Sequence, residues 1–362
     1  MKKRALLILA VCLLALFLWQ MLTIGAERRD SQSPLNKVGV LLNGSAQDGG
    51  FSQSLAEAAR DVCEEKSLTF IRYDGVTVEA FPETVQNLME EGCGLIVCDS
   101  EEFDPGLEQL AKDNPGVCFF NAMGAVTARN LSSCFRRTYQ ARYLLGITAG
   151  CQTVANEIGM IVSSFSSETI RQINAFTLGV RRVNENARVF VRCTNDPFDA
   201  ETAAAVTNEL LDAHSIDVLC CHGIPYAAME TANRRGVWLV GYVPGDEIPF
   251  PDTWLAGYAF DWKPFLTQCV EDWRANRFVG RQYSGGVRSG LVHLTPFGAN
   301  VREETRDVVE AELARLLDGS FDVFFGPVRD RYGTVQVREG ETMSDERILH
   351  GMNWFVEGVT PE

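Results

Sequence analysis

The chain has 362 residues, 46% of them hydrophobic and 22% charged, which argues against a generally disordered chain and is enough for two cores of ordinary size. A formal net charge of −15 argues against nucleic acid as a partner, because phosphate binding needs concentrated Lys and Arg.

In chain order, Lys2, Lys3 and Arg4 precede a nearly uncharged apolar run from Ala5 to Ile24, closed by Glu27-Arg28-Arg29-Asp30. About 20 apolar residues can span a bilayer as a helix, so residues 1–26 read as a signal peptide or a membrane anchor, and 27–36 as a polar linker. Cys12 sits mid-run after Val11, a poor position for lipid attachment. The body is expected outside the cytoplasm, on the outer face of the cell membrane or secreted.

From Lys37 the pattern alternates. "KVGVLL" leads to a helix in which Phe51, Leu55, Ala58, Ala59 and Val62 recur at helical spacing. "LTFIRYD" precedes a helix near Glu79 to Glu91, followed by "GLIVCDS", a short helix around Pro105 to Asp113, and "VCFFNA". After Arg137 a second series begins: helix "YQARYLLGITAG", strand "IGMIVS", helix "TIRQINAFTLGVRRVNE", strand "RVFVRCT". A helix from about Ala200 to His214, strand "DVLCCHG", a further helix and strand "VWLVGY" complete it. Apolar strands separated by amphipathic helices predict parallel sheets covered on both faces. The fold class is α/β, with two doubly wound lobes. The eleven cysteines contain no CxxC pair, and most lie in apolar runs, which predicts largely reduced, buried thiols.

In such folds ligands sit beyond the carboxyl ends of strands. The exits "NGSAQDGGF", "CDSEEFD", "FNAMG", "SSFSSE", "TNDPFD", "CHGIPY" and "GYVPGDE" are rich in Asp, Asn, Ser, Gly and aromatics and contain no Lys or Arg. That composition suits a neutral, flat, hydrogen-bonding ligand better than a phosphate or carboxylate. Catalytic motifs are missing: there is no GxSxG elbow, no P-loop, and no GxGxxG opening a helix. The four histidines lack metal-ligand spacing, so neither a metal nor another cofactor is expected. Asp48 is read as a ligand contact, with a helix cap as the plainer alternative.

Several stretches together resemble the basic membrane protein family of substrate-binding proteins, the purine-nucleoside-receptor-like group that serves ABC importers. They are "DGGFSQS" (48–54), "RRTYQARYLLGITAG" (136–150), "INAFTLGVRRVN" (173–184) and "NDPFDAETAAAVTNELL" (195–211). "VLCCHG", "GVWLVGY", "AFDWKPF" and "FFGPVRD…GMNWFVEGV" follow in the expected order, so the resemblance runs from about 37 to 358. It implies a type I periplasmic-binding-protein fold closing on a purine nucleobase or nucleoside, with an ABC permease and ATPase as partners and the membrane approached through the N-terminus. It implies no enzyme activity. The expected lobes are 37–127 with 254–300, and 128–253 with 301–362, joined by three hinge crossings.

By position, the resemblance makes Ser45, Asp48 and Phe51 contributors from the first loop, Phe51 as a stacking ring. Asn121 stands where many members have an aspartate, and Phe198 would supply a second ring. His222 with Gly223, Tyr242, and Asp261 with Trp262 match further landmarks. Val243 and Pro244 replace an aspartate common in nucleoside-binding members, and Pro197 a frequent tryptophan, which favours a free nucleobase or another flat ligand. The runner-up is a membrane-anchored sensor of the same fold. A nucleoside hydrolase using Asp48 or Asp199 ranks behind it, because no calcium-binding aspartate cluster exists.

Overall fold

The computed structural model describes residues 36–197, 199–222, 226–245 and 248–362. The expected N-terminal segment, 1–26, and Cys12 lie outside the described residues. Among the described residues no helix is long and apolar enough to cross a membrane.

The first series holds β1 (Lys37–Leu41), α1 (Phe51–Glu65), β2 (Thr69–Tyr73), α2 (Phe81–Glu90) and β3 (Leu95–Cys98). A 3-10 turn (Glu101–Phe103), α3 (Asp104–Asp113), β4 (Cys118–Asn121) and β5 (Leu131–Arg136) follow. The second series runs α4 (Thr138–Gln152), β6 (Glu157–Val162), α5 (Ser167–Val183), β7 (Arg188–Cys193) and α6 (Ala200–Ala213). It continues with β8 (Val218–His222), α7 (Ala227–Arg234), β9 (Trp238–Tyr242) and β10 (Trp254–Phe260). The remainder comprises α8 (Lys263–Arg274), β11 (Gln282–Gly285), β12 (Val292–Leu294), α9 (Glu303–Asp318), β13 (Val328–Arg329), β14 (Val335–Val337), α10 (Asp345–His350) and β15 (Val359–Pro361).

Six strands form the first sheet in the order β11-β5-β4-β3-β1-β2, all parallel. Seven form the second, β12-β10-β9-β8-β6-β7-β15, parallel except for the β10–β12 pair. Central strands such as Leu95–Cys98 are buried throughout, as sheets covered on both faces require. In each sheet the order reverses beside its first strand, at β1/β3 and at β6/β8, which marks the crevice where ligands bind.

The chain passes between the sheets three times: after Arg136, after Phe260 and after Gly285. These places correct the expected lobe boundaries. β5 belongs to the first sheet although "LSSCFR" lacks a continuous apolar run; Ser132 and Ser133 are fully buried in it between β4 and β11. β10, expected in the first lobe, pairs with β9 and β12 in the second sheet. Helix α8 then returns to the first lobe and docks on α1, where Lys66 meets Glu271 at 2.6 Å and Lys263 pairs with Glu65.

The second lobe is built on an unusually close helix pair. A Cβ on Gly146 of α4 would lie 2.0 Å from the Phe176 carbonyl oxygen, and one on Gly179 of α5 would lie 2.0 Å from that of Tyr143. Only glycine lets the two backbones touch in this way. The fully buried Asn174 of α5 fastens the C-terminal segment, donating to the Trp354 carbonyl at 2.8 Å and accepting from the Val356 N–H at 2.9 Å. The ten described cysteines are all free, and seven are buried.

Candidate functional site

The loop after β1 folds through its own polar groups. Ser45 is exposed; its hydroxyl accepts from the Gln47 N–H and its carbonyl from the Asp48 N–H. Asp48 Oδ1 accepts from the backbone N–H groups of Gly50 at 2.6 Å and Gln53 at 3.2 Å, which satisfies orphan donors at the start of α1. Its plainer reading, a cap, is therefore the one its bonds describe. Beneath the loop, Asp99 at the end of β3 accepts from the Asn43 N–H at 2.7 Å and the Ser52 hydroxyl at 2.6 Å. Burial pushes its carboxyl up to about 6, although both hydrogen bonds act to lower it.

Phe51 opens α1 and faces the other lobe. Its ring meets Phe260 edge-on at 5.3 Å and Trp262 at 5.5 Å, and the Arg136 guanidinium lies over it at 5.2 Å from the ring centre. Phe260 stacks on Trp262 at 5.3 Å and leans on Tyr242 at 5.6 Å. Tyr242, from β9 of the second sheet, donates its hydroxyl to the Gly50 carbonyl at 3.1 Å, a bond from one lobe to the other. Phe51, Tyr242 and Trp262 are thus brought together, and Phe260 joins them. Trp262 is buried, and its indole N–H finds no acceptor among the described residues. Exposed Asp261 accepts from the Lys263 N–H at the start of α8, on the second hinge passage.

Other expected residues fall differently. Asn121 is fully enclosed: its amide donates to the Ser100 carbonyl and to Asp104 Oδ1, both at 2.8 Å, and accepts from the Met123 N–H. Its side chain braces the first lobe's loops. Phe198 and Gly223 lie outside the described residues.

His222, at the end of β8, sits in a charged network. Arg142 of α4, fully buried, donates to the Cys221 carbonyl at 2.9 Å, to His222 Nδ1 at 3.0 Å and to the Tyr258 hydroxyl at 3.2 Å. A guanidinium cannot accept, so Nδ1 is the acceptor and the ring carries its proton on Nε2. That N–H donates to Glu168 Oε2 at 2.8 Å. Burial lowers the His222 pKa, outweighing the opposite pull of Glu168. Burial works to raise Glu168, yet His222, Arg171 and Arg136 around it hold its carboxyl far below the usual range.

Between the lobes lies a cavity of about 290 Å³, lined by Glu101, Met123 and Arg136 from one side and Ser166, Glu168 and Arg171 from the other. Cations therefore do reach the cleft, contrary to the composition of the expected strand exits. They come from the end of β5 and from α5, and β5 is the strand whose apolar signal is weak. Among the described residues, none of those expected at the site lines this inter-lobe cavity, which adjoins the ring cluster through Arg136 over Phe51, and none lines a larger concavity of about 750 Å³ bordered by Arg137, Arg288 and Arg315 among others. No cluster of three or more metal-ligating side chains occurs among the described residues.

Comparison with known proteins agrees with this geometry. The family described as "ABC transporter substrate-binding protein PnrA-like" matches residues 35–316. A purine-binding protein of Brucella abortus is 29% identical over 328 residues, 89% of this chain and 92% of its own length. A putative ABC transporter glucose-binding protein of Haloferax volcanii is 33% identical, over 87% of this chain and 78% of its own length. Among solved structures, an ABC transporter solute-binding protein from Conexibacter woesei superposes with a TM-score of 0.67 at 19% identity, covering 79% of this chain and 98% of that one. A solute-binding protein from Aeropyrum pernix gives 0.67 at 16% identity, with coverages of 79% and 92%. These likenesses establish the type I periplasmic-binding-protein fold. The chain belongs to the PnrA-like family of ABC transporter substrate-binding proteins, extracytoplasmic receptors that take a small molecule and have permease partners.

Proposed function

We propose that the chain binds a purine nucleobase or nucleoside between its lobes and delivers it to a membrane permease driven by its ATPase. The observation that carries this reading is the ring cluster of Phe51, Tyr242, Phe260 and Trp262, drawn from both lobes and bordered by hydrogen-bonding groups. A flat base gains stacking energy from such rings, and edge groups then select it. The Brucella relative, named as purine-binding, supports the same ligand class. In this reading Phe198 adds a second ring, Ser45, Asp48 and Gly223 border the ligand, and residues 1–26 export or anchor the protein.

Calorimetry on the full chain with adenine, guanine, hypoxanthine and their nucleosides tests this. Heat is expected from at least one purine, and Phe51→Ala should weaken its binding by about 1–3 kcal/mol, the scale of lost base stacking. The name of the Haloferax relative favours a second reading, a monosaccharide, so glucose belongs in the same series. Heat from glucose and none from any purine would replace the purine reading.

A further inference from the structure

Arg136 stands apart from the other cleft arginines. The terminal nitrogens of Arg142 bond to partners in the second lobe, and Arg171 donates to the Ile348 carbonyl at 2.9 Å and faces Glu168 at 3.9 Å, although the Nε–H of each, like that of Arg136, is buried without an acceptor among the described residues. Arg136 makes no side-chain hydrogen bond or ion pair among the described residues, and its Nε–H is buried without an acceptor. Its guanidinium packs over the face of Phe51, beside the ring cluster, and acts on Glu168 and Glu101 through its charge without a direct bond to either. Glu101, on the same side of the cavity, likewise has a carboxylate with no hydrogen bond or ion pair among the described residues. A free donor fork and a free acceptor pair thus line one inter-lobe cavity.

The charges of that cavity cancel: Arg136 and Arg171 line it together with Glu101 and Glu168. A phosphate would leave the cleft strongly negative, whereas a neutral molecule carrying both acceptors and donors leaves it balanced. A cavity of about 290 Å³ suits a single heteroaromatic base. We propose that Arg136 and Glu101 are the specificity determinants of this site and select a 6-oxopurine over a 6-aminopurine. The inference rests on the purine reading above and deepens it. O6 and N7 of a 6-oxopurine are adjacent acceptors that match two parallel guanidinium N–H groups. The neighbouring N1–H, and the 2-amino group where present, are donors that match a carboxylate. Adenine places its N6 amino donor against the fork and leaves a half-buried guanidinium without its acceptor, the kind of mismatch that produces rejection.

Calorimetry on the full chain with guanine, hypoxanthine and adenine tests the assignment. The wild type should bind both oxopurines at least about ten-fold more tightly than adenine, the scale of one bidentate contact. Arg136→Gln should weaken guanine and hypoxanthine by about 10- to 100-fold and change adenine by less than about three-fold, so that the preference collapses. Glu101→Gln should cost guanine more than hypoxanthine, because only guanine offers the second N–H. Thermal melting of each variant separates a lost pocket from a lost fold, and Glu101→Gln, at an exposed position, keeps the test decisive should Arg136→Gln not fold. Purine binding with no oxopurine preference, or with a preference that both variants leave intact, overturns this assignment and spares the purine reading. Absence of heat with every purine overturns both.

Discussion

The two walls of the cleft are built on different principles. The first-lobe wall is a short loop, residues 43–50, held by local hydrogen bonds to Asp48 and Asp99, with Ser45, Asp48 and Gly49 exposed. The second-lobe wall is a lattice in which Arg142 and Glu168, on helices whose backbones touch, bond to His222 of β8 and, through Arg142, to Tyr258 of β10. One wall can adapt to a ligand at low cost, while the other is pre-organised and transmits any disturbance into the core.

The sharpest way to break this contrast is a pair of glycine replacements. Gly179→Ala drives a methyl group to 2.0 Å from the Tyr143 carbonyl oxygen and should cost about 3 kcal/mol or more. Gly49→Ala, at φ +64° with open space around it, should cost only about 1 kcal/mol from backbone strain. Denaturant titration of the two variants measures the difference, and equal costs would dissolve the distinction between the walls.

Smaller than the Gly179 cost is that of Glu168→Gln, which should destabilise the protein by about 2 kcal/mol near neutral pH by removing the charge from a buried cluster. Because the folded-state pKa of Glu168 is depressed, its contribution is present above the ordinary glutamate value and is lost as pH falls below it. The wild type should therefore lose stability on acidification below about pH 4.5 more steeply than the variant.

Asp99, in the adaptable wall, should show the opposite slope. Burial lifts its folded pKa to about 6, above the ordinary aspartate value of about 3.9, so its contribution is full below that ordinary value and fades as pH rises through about 6. Over that window the wild type should lose up to about 2–3 kcal/mol relative to Asp99→Asn, which keeps an acceptor for Asn43 and has no charge to bury. Stability measured at several pH values between 4 and 7 checks the sign. The smallest expected effect is that of Tyr242→Phe, which removes the bond to the Gly50 carbonyl and should cost about 0.5–1.5 kcal/mol. Small-angle scattering of the ligand-free variant should show a more open pair of lobes.

The difference between the walls also explains what the sequence made legible. Phe51, Tyr242 and His222 end strands or open a helix, so position nominates them, and the family resemblance nominates Trp262. Asn121 satisfies the same positional rule, yet its amide is consumed by Ser100, Asp104 and Met123, partners that only the folded loops reveal. Arg142 lies inside an apolar-looking helix, and its partners Cys221, His222 and Tyr258 are 79 to 116 residues away. Arg136 was hidden with β5, whose Ser132 and Ser133 break the apolar run that marks the other central strands. The alternation of strands and helices was local and therefore readable. The sheet that each strand joins was not, as β10 demonstrates by pairing with β9 and β12.

The backbone contact between α4 and α5 has a mechanical consequence. Arg142 on one helix and Glu168 and Arg171 on the other cannot slide independently, because Gly146 and Gly179 leave no slack between the helices. The second lobe must then swing as a stiff lever, with its bending confined to the three thin passages after Arg136, Phe260 and Gly285. Arg136 ends the strand that leads into the first of those pivots, so any swing of the lever turns about the place where its side chain meets Phe51.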